Sequence, residues 1–126
     1  MLFRSTHATD TPGIEHAIHG EVTLGGGPSV NHGTCNQPQV VARLMDCAKK
    51  LRIPIQHEST TRYGGTDTDV IFTVRDGIPS ALLSLPLRYM HSIVEMCDLA
   101  DVEKVIALLT AFVESVSDTD TFGVTL

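Results

Sequence analysis

Residues 78–87 read IPSALLSLPL, and the rest of the chain can be placed from them. Only Ser80 and Ser84 and the two prolines break the aliphatic run, so it cannot alternate between a wet face and a dry one. A strand of this kind is buried on both faces, as in sheets covered by crossover helices. The spacing predicts a strand over 79–86. Downstream, Val102, Val105, Ile106, Leu109, Phe112, Val113 and Val116 recur at helical spacing. They predict a helix over 100–117, opened by Asp98 or Asp101. Upstream, NQPQVVARLMDCAKKLR (36–52) carries Val40, Val41, Leu44, Ala48 and Leu51 on one helical face and predicts a helix over 38–51. Asn36 is its expected cap, Pro38 lies in its first turn, and Lys49, Lys50 and Arg52 gather at its negative end. IPIQHEST (53–60) predicts a strand over 53–59. GGTDTDVIFTVRDG (64–77) predicts a short helix over 66–75, with Thr66 as cap, Asp69 three residues on and Gly77 as terminator.

Strands alternating with helices imply crossovers and a largely parallel sheet, hence an α/β fold. Ligands in such sheets collect beyond the carboxyl ends of the strands. His91 stands just past one of those ends.

The first third, rich in Gly, His and Thr, reads as loop with short strands near Glu21–Leu24 and Ser29–His32. No repeat or linker divides the chain, so 126 residues form one domain around one core. With no tryptophan, that core rests on Val, Ile, Leu and Ala. A net charge of −6 argues against nucleic acid, which selects cationic surfaces. No apolar stretch approaches the roughly 20 residues of a membrane helix, and MLFRSTHATD lacks the apolar segment of a secretory signal. Cys35, Cys47 and Cys97 are odd in number and widely spaced, which suits free thiols in a reducing cytosol. The expected location is cytoplasmic.

Several residues could carry chemistry, each with a plainer alternative. His91 is a structural hydrogen-bonding residue or a metal ligand, and a metal site needs three or four converging donors. THATD offers His7 and Asp10, and EHAIH offers Glu15, His16 and His19. The latter is not a His-Glu-x-x-His helix, and a solvated loop is the better reading. LGGGPSVNHG could cradle an anion, but no Gly-Lys-Ser/Thr follows and Pro28 removes a donor. It reads as a tight turn. Cys35 beside His32 could be a nucleophile, but it lacks an orienting partner and reads as a small buried thiol. In YGGTDTD the glycines let a ligand approach the backbone, and Asp67 suits both helix capping and a functional role.

Taken together, THATDTPG, LGGGPSVNHG, GGTDTDVIF and SLPLRYMHSIVEMCDLADVE resemble, in order and spacing, the tetrahedral (TET) type of dinuclear metallo-aminopeptidase. That family includes glutamyl aminopeptidases and proteins labelled endoglucanase. The resemblance runs from about Thr6 to Val116 and covers the C-terminal third of a family member. It implies a three-layer α/β/α sandwich around a mixed sheet, in a zinc-peptidase-like catalytic domain. It also implies peptides as substrates, two zinc or cobalt ions as cofactors, and a homo-oligomer. His91 matches the last metal-binding histidine. Gly65, Thr66 and Asp67 match a loop that shapes the substrate pocket, and no residue matches the general base. The other ligands of the family lie upstream of the matching region, and Arg4 stands where an aspartate is expected. Residues 1–5 therefore read as a foreign start and not as a natural strand. The expectation is a fragment of a metal-dependent aminopeptidase, inactive alone. The alternative is a non-catalytic domain that assembles with, or complements, another chain.

Overall fold

The computed structural model describes residues 1–60 and 63–123. The elements in chain order are β1 (Leu2–His7), α1 (His16–His19), β2 (Ser29–Gly33), α2 (Pro38–Leu51), β3 (Gln56–Thr60), α3 (Thr68–Ile71), β4 (Leu82–Leu87) and α4 (Leu99–Ser115). The strands form one mixed sheet in the order β1-β4-β2-β3. β1 runs parallel to β4 and β2 parallel to β3, but β2 and β4 are antiparallel. The architecture is α/β.

Strand parity explains why the two sheet faces differ. Val30 lies opposite Leu83 across the antiparallel pair, and both are fully buried. With Ala81 they pack against Val40, Val41, Leu44, Cys47 and Ala48 of α2 and Val105, Leu108 and Phe112 of α4. Both long helices therefore cover the same face. Cutting Leu44, Leu83 or Leu108 to alanine in such a core costs about 2–5 kcal/mol. One position along each strand, parity reverses and the register aligns Arg4 and Ser29 with Ser84. Thr6, Asn31, Glu58 and Thr60 share that parity. The second face of the sheet is thus polar, and among the described residues no long helix lies on it.

The structure moves several boundaries. The strand expected over 53–59 starts at Gln56, because Pro54 has no N–H and Ile53 N–H is used to close α2 on Ala48 O (2.9 Å). The strand expected over 79–86 starts at Leu82, after Pro79 and Ser80. The helix expected over 66–75 holds only Thr68–Ile71 before dissolving into turns, since β-branched Val70, Ile71, Thr73 and Val74 do not sustain it. Glu21–Leu24 is irregular, not a strand; Val22 exchanges bonds with the backbone and hydroxyl of Thr9 instead. His16–His19, read as loop, makes a single helical turn with both histidines exposed.

Two further corrections change how the molecule is understood. Residues 1–5, read as no natural strand, contribute all but Met1 to the edge strand β1. Leu2 N–H bonds Ala81 O and Ala8 N–H bonds Leu87 O, both at 2.8 Å, at either end of its pairing with β4. Asn36 does not cap α2, whose N-cap is Gln37. Instead the Asn36 side chain is buried between strands, accepting Leu82 N–H (2.8 Å) and donating to Asn31 Oδ1 (3.3 Å). For α4, Asp98 is the cap and accepts Ala100 N–H. Asp101 is fully buried and grips the glycine turn through Gly25 and Gly27 N–H (2.7 and 2.9 Å), beside Lys104. Gly27 is obligatory there, with φ +94° and a would-be Cβ 2.2 Å from Pro54 O.

Candidate functional site

The polar face of the sheet floors a cleft of about 280 Å³. Arg4, Thr6, Ser84, Asn31, Glu58 and Thr60 form the floor, Gly64–Thr66 one wall, and His7, Met90 and His91 another. His91 and the Gly-Gly-Thr loop therefore share a cleft. A larger hollow of about 410 Å³ beside Cys35, Phe72 and Ile78 contains no histidine or arginine. Convergent polar groups, more than volume, mark a binding site, and they mark the smaller one.

His91 reaches the cleft through an unusual backbone. After β4 the chain turns sharply, with Tyr89 at φ +55° and His91 at φ +67°, a region that side chains other than glycine enter at a cost. The His91 N–H is held by Glu95 Oε1 (2.6 Å). Its ring is exposed and meets His7 edge to face, with centroids 5.9 Å apart. This meeting follows from topology, because β1 and β4 are parallel and end side by side. The turn is braced by Arg88, whose guanidinium holds Asp10 at two points (3.1 and 2.5 Å). That hydrogen-bonded guanidinium lowers the Asp10 pKa below the ordinary carboxylate value. Asp10 is therefore committed to an ion pair and does not join His7 as a metal donor.

The opposite wall is built by Asp69. Its carboxylate accepts the N–H groups of Gly64, Gly65 and Thr66 (3.1, 2.8 and 3.3 Å) and the Cys35 thiol (3.1 Å). These bonds, the thiol's first, lower the Asp69 pKa. Burial, and then the Asp69 carboxylate, push the Cys35 thiol up, away from the thiolate a nucleophile needs. Cys35 is thus a buried structural donor, and His32 is not its partner. Gly65, at φ +67°, allows the loop to turn. Thr66 lines the cleft, while its hydroxyl oxygen is buried and has no hydrogen-bond partner among the described residues.

Asp67 does not line the cleft but bonds Arg4 at its rim (3.2 Å). Both side chains are largely exposed, 46% and 69%, so the pair adds at most about 1 kcal/mol and acts chiefly by position. Glu58 accepts the Thr6 hydroxyl (2.6 Å) and the Ser29 hydroxyl.

This donor set does not fit a dinuclear metal centre. Among the described residues no group of three histidine, cysteine, aspartate or glutamate side chains is placed to hold a metal ion. In the cleft itself Glu58 is engaged by two hydroxyls, and the Arg4 guanidinium adds positive charge. The expectation of ligands beyond the carboxyl ends also changes form. The two strand pairs run in opposite directions, so the cleft lies across the sheet face and not along one edge. Glu58 and Asp69 are the contributors that sequence reasoning missed, whereas Arg4 was read as a cation standing where an aspartate is expected. Only Asp69 left a local signal, its position three residues after Thr66.

Sequence comparison matches residues 4–108 to the family described as M42 glutamyl aminopeptidase. A lysyl aminopeptidase of Pyrococcus furiosus is 40% identical over 77% of this chain and 28% of its own length. Among solved structures, a TET aminopeptidase from a marine sediment Thaumarchaeota archaeon superposes with a TM-score of 0.81 and 27% identity. It covers 92% of this chain, which spans 33% of it. The TET1 peptidase of Pyrococcus horikoshii, described as assembling into a tetrahedron or a large octahedral shell, gives 0.63 and 29%, over 86% of this chain and 31% of its own. The chain thus spans under a third of the length of the curated relatives it matches.

Proposed function

Since this chain belongs to the M42 glutamyl aminopeptidase family, we propose that its cleft is one side of a metal-dependent aminopeptidase active site. The carrying observation is the convergence of His91 and the Gly65–Thr66 loop on one polar cleft. In this reading His91 supplies an imidazole to a metal, zinc or cobalt. Thr66 and the Gly65 backbone border the peptide, and Asp67 fixes the rim through Arg4. The remaining donors and the general base must come from outside these 126 residues, because the His7 and His91 imidazoles beside the Arg4 guanidinium cannot hold two divalent ions. The 126-residue chain alone is therefore proposed to be inactive.

The test is release of an N-terminal residue from a chromogenic peptide with added cobalt or zinc. The expected result is background rate for both the wild type and His91→Ala. Metal-dependent turnover that vanishes in His91→Ala would overturn the proposed inactivity. Joining the family's upstream segment and changing Arg4 to Asp should produce activity that His91→Ala abolishes.

A second reading, an assembly partner, is favoured by one feature of α4. Leu99, Ile106 and Val113 form an exposed stripe at seven-residue spacing, 75%, 59% and 67% accessible. Such a stripe, together with the open edges of β1 and β3, suits self-association into a homo-oligomer. The three thiols are free, and cytoplasm is the proposed location. Among the described residues no helix is long and apolar enough to cross a membrane.

A further inference from the structure

His32 and His57 stand apart from the cleft and play no part in the proposed reaction. Their placement follows from the ladder between β2 and β3. Val30 pairs with His57 and His32 with Ser59, so the two histidines project from the same face at diagonal positions. Both are exposed, with rings stacked at 30° and centroids 5.1 Å apart. His32 Nε2 lies 2.9 Å from His57 Nδ1. In the absence of metal, one nitrogen must carry the proton and the other must accept it.

The nitrogens meet nearly head-on, and once each exposed ring swings off that line the same separation is the bite of a chelate. Imidazole nitrogens bind first-row divalent ions at about 2.0–2.1 Å. Two of them at a right angle, as in square-planar or octahedral coordination, stand about 2.9 Å apart. A tetrahedral ion would need about 3.3 Å by the same geometry. We propose that His32 and His57 form a surface chelate for a divalent transition-metal ion of right-angled geometry, copper(II) first and nickel(II) second. The ion replaces the shared proton, and each ring gives one lone pair. Water completes the shell, since the rings are exposed and neither needs further desolvation. The paired strands fix both backbones, so little conformational freedom is lost on binding. Asp46 and Lys49 of α2 both line the hollow beside His57, leaving the local charge balanced. The net charge of −6 favours cations in general.

The experiment is a copper(II) titration of the 126-residue chain by calorimetry in a non-chelating buffer, read alongside electron paramagnetic resonance. One site per chain with two imidazole nitrogens in the hyperfine pattern is expected. His32→Ala and His57→Ala should each weaken it about tenfold or more, while replacing the exposed His16 of α1 by alanine leaves it unchanged. Zinc should bind more weakly than copper by both geometry and intrinsic order. On the unmodified protein, substoichiometric copper should broaden amide resonances of His32, Gly33 and Ser59 before those of Gly65 and Thr66. Broadening centred on Met1 or on the cleft would overturn the assignment. So would affinity that survives in His32→Ala, or a one-nitrogen spectrum in the wild type.

Discussion

His91 occupies a left-handed backbone position that costs a side chain about 1–2 kcal/mol relative to glycine. Among the described residues its ring makes no hydrogen bond; only its N–H does. If the residue is kept for its imidazole, stability should not depend on the ring. His91→Gly is therefore expected to leave the urea midpoint unchanged or raise stability by up to about 1 kcal/mol, glycine's looser unfolded chain offsetting part of the relief. A loss of more than about 1 kcal/mol would mean that the ring holds the turn together. At this scale the sequence was partly legible. His91 and the Gly65–Thr66 loop carried local motifs, and both reach the cleft. Arg4 was visible as a cation out of place, but its partner Asp67 lies 63 positions away and no local pattern could join them. Glu58 bonding Thr6 and Ser29, and His32 meeting His57, arise from strand register, which a linear reading does not supply.

The two long helices were legible because their apolar residues repeat, and Pro38–Leu51 fell where the period put it. For α4 the same signal misled. Ile106 and Val113 share the apolar pattern yet are exposed, while Leu108 is fully buried. This helix has two apolar stripes, and periodicity cannot say which one meets the sheet. The end of α4 is tied to α2 by a polar clamp. Arg43 donates to Ser115 O (2.6 Å) and to both oxygens of Asp120 (2.8 and 3.4 Å), with the Phe122 ring 5.4 Å away. The Arg43 guanidinium, followed by Ser117 N–H, lowers the Asp120 pKa from 3.8 to about 2. A carboxylate depressed in the folded state stabilises fully above its unfolded pKa, and the contribution is lost as pH falls through the folded one. From pH 5 down to about 2 the wild type should therefore lose an increment of stability that Asp120→Asn lacks. Denaturant titrations across that range should show a flatter acid limb for the variant. Parallel limbs would mean that the pair does not form in solution.

The sheet order sets how far the whole chain must organise before each strand can pair. Ser29 pairs with Gln56, 27 positions on, across α2, whereas Leu2 pairs with Leu82, 80 positions on. Closing the longer loop costs only about 1 kcal/mol more, because the entropy grows as a logarithm. The burial difference adds to it, since β1 is an edge strand with four of its six residues exposed. We predict that native-state hydrogen exchange finds the β1 amides opening at lower free energy than those of β4. Equal protection across both strands would show that they open as one unit.

The pairing of β1 with β4 also bears on synthesis. A ribosome delivers residues 2–7 long before residues 82–87, so the first strand of this segment waits for β4, the neighbour it pairs with here. A waiting strand with an oily surface would find other nascent chains first. Arg4, Ser5 and Thr6 keep this one wettable, and in the finished sheet Arg4 and Thr6 are the residues that face the polar cleft. The same side chains that line the cleft floor thus give the unfinished polypeptide a solvent-tolerant segment while its partner is still being made.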